Sequence, residues 1–577
     1  MGVETVMFVK RTLALSMMCC LAAGSGAFGQ SASQVTQPNY APQQSVARGG
    51  FDLPLTADAS VPQGADQFHV TPSGVTIEGA FEDMSAANDS LRQRLSGKSV
   101  TAAELFEAAA DLERAYVNAG YLLVRVSLPP QTVRDGMPVL FVVTNGYVER
   151  IDASTLSTYV QRRVLTTLEP LIGVRGVKSG ELERRLLLAG DTAGVTLRST
   201  LRPGETAGGT VVVVNGDYSP IGGSFGINNG LSDDLGVYAG EFNVNFNSLL
   251  EIGETIYGSF SGYPGAKADG AASSAPRNRQ LAAGFIVPLG HDGLWFNGEY
   301  VLSQTNPDNG LGFTIGDEFR KLSGRLGYEL VRSRNLNLTT MAIFDIASEE
   351  QSFIAPGIDV MLSKDELRVF RLSQKGSFAP WRGAEFSGDI TWSLGLDALG
   401  ARQATAALPL SRYLAEPDFQ KLAASLGYVQ SLLDGRAQIR LSASAQTSFG
   451  KALPSSEQFS IGGAGRVSVL DQGQTSGDAG IVGRAELTAP LPMPPALGTN
   501  ATVWPYAFAA AGAVELVHPT ALEDKSENAV AVGLGARIAL NLPKTTSQSF
   551  FELEFASGST SSTGHESRLS FRINNRF

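Results

Sequence analysis

The strongest constraint on this chain is an absence set beside a pattern. Beyond residue 29 no stretch approaches the roughly 18 consecutive apolar residues that a spanning helix needs. From Pro220 onward helical periodicity also vanishes, and short alternating segments run to the end. They include "GEFNVNF", "LWFNGEYVLS", "KLSGRLGYEL", "AQIRLSASAQ", "NAVAVGLGARIAL" and "SRLSFRINNRF", with turn signals such as Asp434-Gly435 and Asp308-Asn309-Gly310 between them. Small or apolar residues take one face and Arg, Glu, Ser or Asn the other. In "GRAEL", Arg484 and Glu486 point one way, Ala485 and Leu487 the other. Lipid offers no partner to backbone N–H and C=O groups, so a chain of this kind that crosses a membrane does so as a closed barrel. The alternation then separates a lipid-facing outside from a wet lumen. The competing reading is a soluble sandwich or solenoid.

The N-terminus favours the membrane. Lys10 and Arg11 precede an apolar run from Thr12 to Ala23, and Ala27 and Gly29 are spaced as a cleavage site, so residues 1–29 read as a secretory signal peptide. Met18 before Cys19 argues against a lipoprotein signal. The only two cysteines, Cys19 and Cys20, lie in that segment. The exported chain therefore carries no disulfide and no thiolate metal site. A formal net charge of −11 argues against a nucleic-acid partner. Residues 30–66, rich in Gln, Ser, Pro and Ala without a sustained period, read as a linker.

Between linker and barrel the chain repeats itself. Over residues 67–144 the order is strand ("FHVTPSGVTIEG"), helix (Ala87, Leu91 and Leu95 on one face, stopping at Gly97), helix, strand ("YLLVRVSL"), strand ("PVLFVVTNG"). Thr101 and Glu104 form a capping box for the second helix, whose buried stripe is Leu105, Ala109, Leu112 and Tyr116. Residues 145–219 return the same order through "YVERID", a helix marked by Leu156, Val160 and Val164, "SGELERRLLLAGD", "VTLRSTL" and "GTVVVVNGDY". Each unit is about 75 residues, the lower range of a domain. The fold class is thus mixed: two β-α-α-β-β repeats, then a transmembrane antiparallel barrel over 220–577.

Enzyme signatures are weak. Gly222-Gly223-Ser224-Phe225-Gly226 matches G-x-S-x-G, but no helix follows it as a nucleophile elbow requires. "SGKSV" lacks the earlier glycine of a phosphate loop. His69, His291, His518 and His565 are too scattered for a metal site. No catalytic residue, metal or cofactor emerges. At the C-terminus, Leu569, Phe571, Ile573 and Phe577 share one face, with Asn575 breaking the series. A last strand ending on Phe is similar to the assembly signal of bacterial outer-membrane barrels.

Two such repeats ahead of a barrel resemble the POTRA-barrel superfamily, and the two-repeat form resembles the outer-membrane transporters of two-partner secretion, the hemolysin secretion/activation class. The resemblance implies a sixteen-stranded barrel in the outer membrane of a Gram-negative bacterium, with POTRA domains in the periplasm. It also implies export of a large secreted exoprotein without nucleotide, and use of the barrel assembly machinery during biogenesis. Family members carry "IGG" before a long loop that folds into the barrel, then an "aEL" strand. Here Ile461-Gly462-Gly463 and Ala485-Glu486-Leu487 supply both flanks, and the glycines, Gly465 among them, suit a backbone passing close to barrel walls. The tip departs from the pattern. Ser468 stands where the family arginine would be, with Arg466 two residues earlier. Ala510, in "YAFAAAG" between Phe508 and Gly512, stands where the family has the partnering aspartate. Losing both members avoids the cost of an unpaired buried charge, about 3–5 kcal/mol. The expectation is a loop over 461–480 that still enters the lumen, with Arg466 on a lumenal carboxylate such as Glu486 as one substitute latch, or as a solvated loop arginine. Some relatives carry a plug helix before the first repeat. The prolines at 38, 42, 54 and 62 and the lack of an amphipathic run argue against one here. An unfolded client is expected to add as a strand to "YLLVRVSL" or "VTLRSTL", with Leu122, Val124 and Arg125 as candidate contacts. For Leu122 and Val124, core packing against Leu112 and Tyr116 is the competing role. The alternative functions are an assembly factor that inserts other barrels, or a passive solute porin.

Overall fold

The computed structural model describes residues 30–42, 51–52, 61–265, 269–492, 500–541 and 548–577. The signal peptide expected over 1–29 lies outside them.

The repeat unit is found twice. In the first, Val75–Glu78, Val139–Thr144 and Arg125–Ser127 form a sheet in that order, the first pair parallel and the second antiparallel. In the second, Tyr147–Asp152, Gly209–Tyr218 and Val195–Pro203 repeat the order and the senses. Two helices cover each sheet: Ser85–Leu95 and Ala102–Asn118, then Thr158–Leu168 and Ser179–Gly190. Thr101 and Glu104 close their capping box, and Leu105, Ala109, Leu112 and Tyr116 are buried beneath the second helix.

Two strands are shorter than their sequence pattern. "FHVTPSGVTIEG" breaks into His69–Val70 and Val75–Glu78, because Pro72 has no N–H to give a ladder. "YLLVRVSL" keeps only Arg125–Ser127 as strand. Its first residues build the joint between repeats instead. Leu123 is buried in the second repeat's core and Leu122 packs against that core, whereas Val124 and Val126 enter the first. The expected face of Leu122 with Val124 is therefore split between two cores. Tyr121 completes the joint: its hydroxyl donates to Asp83, and the Lys178 ammonium sits 3.6 Å from its ring centroid.

From Ile221 the chain forms a closed antiparallel barrel of sixteen strands, Leu491–Pro492 continuing the strand Ala479–Thr488. Alternation sorts the side chains as expected. Phe225, Phe242, Phe260 and Leu487 lie on the outer face, whereas Asn297, Arg325, Asp345, Arg484 and Glu486 are buried inward. The last strand, Gly564–Arg576, closes on the first, Ile221–Asn228, pairing Ile573 with Ile227. Phe577 exchanges backbone hydrogen bonds with Gly223 at 3.1 Å. Gly222, Ser224 and Gly226 lie within that first strand, and among the described residues only a three-residue 3-10 turn, Asp233–Leu235, stands between it and the next strand rather than an α-helix, so the G-x-S-x-G match is no elbow.

The second repeat docks on the short turns at one barrel end. Arg332 reaches Asp191 at 2.5 and 2.8 Å, Ser248 Oγ donates to the Ala193 carbonyl at 2.7 Å, and Arg185 to the His291 carbonyl at 3.0 Å. The long connections, 396–419 and 448–478, leave the opposite end. Short periplasmic turns and long outer loops are the usual asymmetry of such barrels, which places the repeats in the periplasm.

The stretch read as a linker does more than link. Ser31 caps a short helix, Ala32–Val35, through a capping box with Gln34, and Ala32 and Val35 are buried. Ala32 packs with Phe319, Ala347 and Leu367 of the barrel wall, and Val35 with Leu231, Leu235 and Ala239. The argument against a plug fails for a physical reason. One helical turn is too short to show periodicity, and Pro38 and Pro42 follow the helix rather than interrupt it. Further along, Phe51–Asp52 pairs in parallel with the edge of the second repeat, Phe51 opposite Ser199.

Candidate functional site: an occluded lumen

Two segments fill the pore. The first is residues 30–42. The wall grips its main chain: Thr305 Oγ1 donates to the Gln30 carbonyl (3.3 Å), Ser303 Oγ to Ala32 (3.0 Å), and Gln280 Nε2 to Val35 (3.0 Å). Lys321 and Arg325 reach the Pro38 carbonyl at 2.9 and 3.2 Å. The Ser33 and Tyr40 amides donate to Glu349 (3.3 Å) and Glu299 (2.9 Å). Side chains add less. Gln30 donates to the Gln472 carbonyl at 2.6 Å, and the Tyr40 hydroxyl to Gln280 at 2.7 Å.

The second segment is the loop between the strands Ala437–Thr447 and Ala479–Thr488. Its stem is a two-residue ladder, Phe459–Ser460 with Ser476–Gly477. Glu457 anchors its base inside the barrel, accepting from Arg371 at 2.6 and 3.0 Å and from Lys421 at 2.8 Å. Gly463 and Gly465 adopt φ of 107° and 76°, which side chains rarely tolerate, and a Cβ on Gly462 would strike the Asp471 carbonyl. The chain can therefore double back at its tip. The tip is apolar: Ile461, Val467, Val469 and Leu470 are buried with Val482, Phe508, Ala510 and Val514 of the wall. Gly512 gives Ile461 its place, since a Cβ there would lie 3.0 Å from that side chain. The two segments also meet: the Gln472 amide donates to the Val35 carbonyl at 3.2 Å.

The expected Arg466–Glu486 latch is not formed. Arg466 turns back to the Ser460 carbonyl and lies 5.3 Å from the Phe459 ring centroid. Glu486 is already engaged, by Arg484 at 2.8 Å and by Arg537 at 2.8 and 3.0 Å. The arginine that meets the tip comes from the wall. Arg484 stands directly across the ladder from Ala510, the position of the missing aspartate. Its Nη1 donates to Ser468 Oγ (3.4 Å) and to the Arg466 carbonyl (3.3 Å), and its Nη2 to Glu554 (2.6 Å). The guanidinium lies 3.6 Å from the Phe508 ring centroid. Tyr506 donates to Glu554 at 2.7 Å, and Arg537 binds Glu552 at 2.8 Å. Gly533 and Gly535 leave room for the Phe508 and Tyr506 rings.

Arg484, Glu486, Phe508, Ala510, Gly512 and the loop residues are thus brought together as one cluster. Glu552, Glu554, Arg537 and Tyr506 were missed by sequence reasoning. Their signal was present in "FELEF": two carboxylates at alternate positions of a spanning strand must face the lumen and find cations there. The proposed client contacts lie apart, in the periplasmic repeats. Arg125 is exposed as expected and pairs loosely with Glu113 at 3.4 Å, while Val124 is core.

Tandem β-α-α-β-β repeats docked on a closed barrel, with a charged lumen blocked by the chain's own segments, define a POTRA-barrel transporter of the outer membrane. Residues 208–538 match the family model for haemolysin secretion/activation protein ShlB/FhaC/HecB, and residues 70–146 the model for the ShlB-type POTRA domain. The chain belongs to that haemolysin secretion/activation family: it is an outer-membrane transporter of two-partner secretion, which exports a partner exoprotein, and it is not an enzyme. Its fold is similar to that of CdiB from Escherichia coli (19% identity, TM-score 0.67, covering 91% of this chain and 94% of that one). It is also similar to CdiB from Acinetobacter baumannii (15% identity, TM-score 0.56, covering 100% and 98%). No curated protein matches the sequence.

Proposed function

We propose that the client enters as an added strand on the second repeat, passes the barrel once residues 30–42 and the in-folded loop give way, and is drawn outward by folding outside. The carrying observation is the edge strand Val195–Pro203. Across nine residues it offers main-chain groups to a neighbour, and this chain's own Phe51–Asp52 already pairs there in parallel. Strand addition reads backbone rather than sequence, which suits an unfolded exoprotein. The other expected edge, Arg125–Ser127, is the poorer template. It has three residues, and its Val126 amide already donates to Glu113 at 2.9 Å. Arg125 then serves as a charged guide beside that edge. No nucleotide is consumed in this scheme. Phe571, Ile573 and Phe577 serve barrel assembly, presenting the last strand to the assembly machinery, and the outer face meets lipid.

The test uses the absence of cysteine from the exported chain. A Phe51→Cys/Ser199→Cys pair, oxidised, would pin the chain's own strand on the edge. The expected result is exoprotein in the medium only after reductant is added. Equal export with and without reductant would remove this edge from the pathway.

A further inference from the structure

The grip on residues 30–42 is unusual in what it ignores. Thr305, Ser303 and Gln280 donate to carbonyls, and Glu349 and Glu299 accept from amides. The two side chains that fill wall pockets, Ala32 and Val35, are small and apolar. A wall that evolved only to lock one plug would gain from reading its glutamines, yet among Gln30, Gln34 and Gln37 only Gln30 hydrogen-bonds the surrounding wall or loop among the described residues. The acceptors of the groove are carboxylates: Asp317 and Glu349 are buried against the main chain at Ala32 and Ser33. Carboxylates accept from any N–H, whatever side chain follows it.

We propose that this groove is a main-chain-reading subsite for the exported polypeptide, and that residues 30–42 occupy it at rest as a stand-in for the client. The inference rests on the export reading above. The alternating occupants are this segment and an extended stretch of client with small side chains. The same carbonyl donors and carboxylate acceptors serve both. Small residues pass because the pockets that hold Ala32 and Val35 demand nothing larger, and the carboxylates of Glu349 and Glu299 take the N–H groups the moving chain presents.

The test reads conductance, so its failure and a failure of export are separate results. The full-length protein lacking residues 30–42 is placed in a planar bilayer, and synthetic peptides are added on the repeat side. The probes are the native 30–42 peptide, a version with Gln34 and Gln37 replaced by alanine, and a version N-methylated at Ser33 and Tyr40. The native and alanine peptides are expected to block at concentrations within about threefold of each other, whereas N-methylation raises the blocking concentration about a hundredfold or more, the loss of two charge-assisted hydrogen bonds, to Glu349 and Glu299. Ser303→Ala/Gln280→Ala in the wall is expected to weaken the native and alanine peptides alike. If the alanine peptide fails while the N-methylated one blocks, or if no peptide blocks, the groove is a dedicated lock or no site, and the proposal is overturned.

Discussion

Charged anchors at Glu457 and Asp471 flank the in-folded loop, but its tip is seated by apolar packing, and Leu470→Ala against Ser468→Ala makes the tip's share measurable. Leu470 is 2% exposed, packed with Ile461, Val467 and Val469 against the wall. Truncating a buried leucine costs about 2–5 kcal/mol. In the opened loop the side chain is in water, so the loss falls on the closed state alone. At about 1.4 kcal/mol per decade, even the lower figure raises the open-to-closed ratio about 30-fold. Ser468 contributes one hydrogen bond at 3.4 Å from Arg484, a length at which such bonds are weak. Arg484 keeps Glu486 and Glu554 when it is lost. Ser468→Ala is therefore expected to cost about 1 kcal/mol or less, under about tenfold. Single-channel recording of the full-length protein reads both. Leu470→Ala should raise open probability far more than Ser468→Ala, with little dependence on ionic strength. If Ser468→Ala opened the pore as much as Leu470→Ala, or if salt alone did so, the loop would be a polar latch and this reasoning would be wrong.

Other consequences are as direct. Arg484→Met leaves Glu554 buried with only Tyr506, so the barrel should lose about 3–5 kcal/mol in denaturant unfolding, and Arg484→Met/Glu554→Gln should recover much of it. Ala510→Asp should be tolerated, because Arg484 stands across the ladder from it, whereas Ser468→Arg sets a second guanidinium against Arg484 and should raise open probability; the double variant should close again. At the joint between repeats, the Tyr121 hydroxyl and then the Lys178 ammonium hold Asp83 below its ordinary 3.8, while Tyr121 and Asp83 hold Lys178 above 10.5. The Asp83 contact is thus present above about pH 4 and lost as pH falls through its lowered value, and the Lys178 contact is lost only above about pH 10.5. Spin-label distances between the repeats should stay constant from pH 5 to about pH 9 and change on acidification below about pH 4.

The architecture was legible because its signals are periodic. Residues two apart in "GRAEL" fix lipid and lumen faces, and the capping box at Thr101 marks a helix start without tertiary help. Of the loop's flanks, Gly462-Gly463 lies at the turn into the apolar tip and Ala485-Glu486-Leu487 in the strand that follows. What the sequence hid was pairing across distance. Nothing local to Arg466 says that its guanidinium turns back on Ser460, and nothing local to Glu486 says that Arg537 has already claimed it. The course of the loop decides the first and ladder register the second, and register also sets Arg484, one residue before Ala485-Glu486-Leu487, across from Ala510. The plug was hidden for another reason: a four-residue helix draws its order from the lumen around it rather than from its own composition.

The most direct test of the account is the protein content of the culture medium and outer membrane with and without this gene. Loss of one large exoprotein from the medium, with the other outer-membrane barrels unchanged, is the expected result and would identify the client. An unchanged medium, or loss of several barrels from the membrane, would contradict export as the function of this chain.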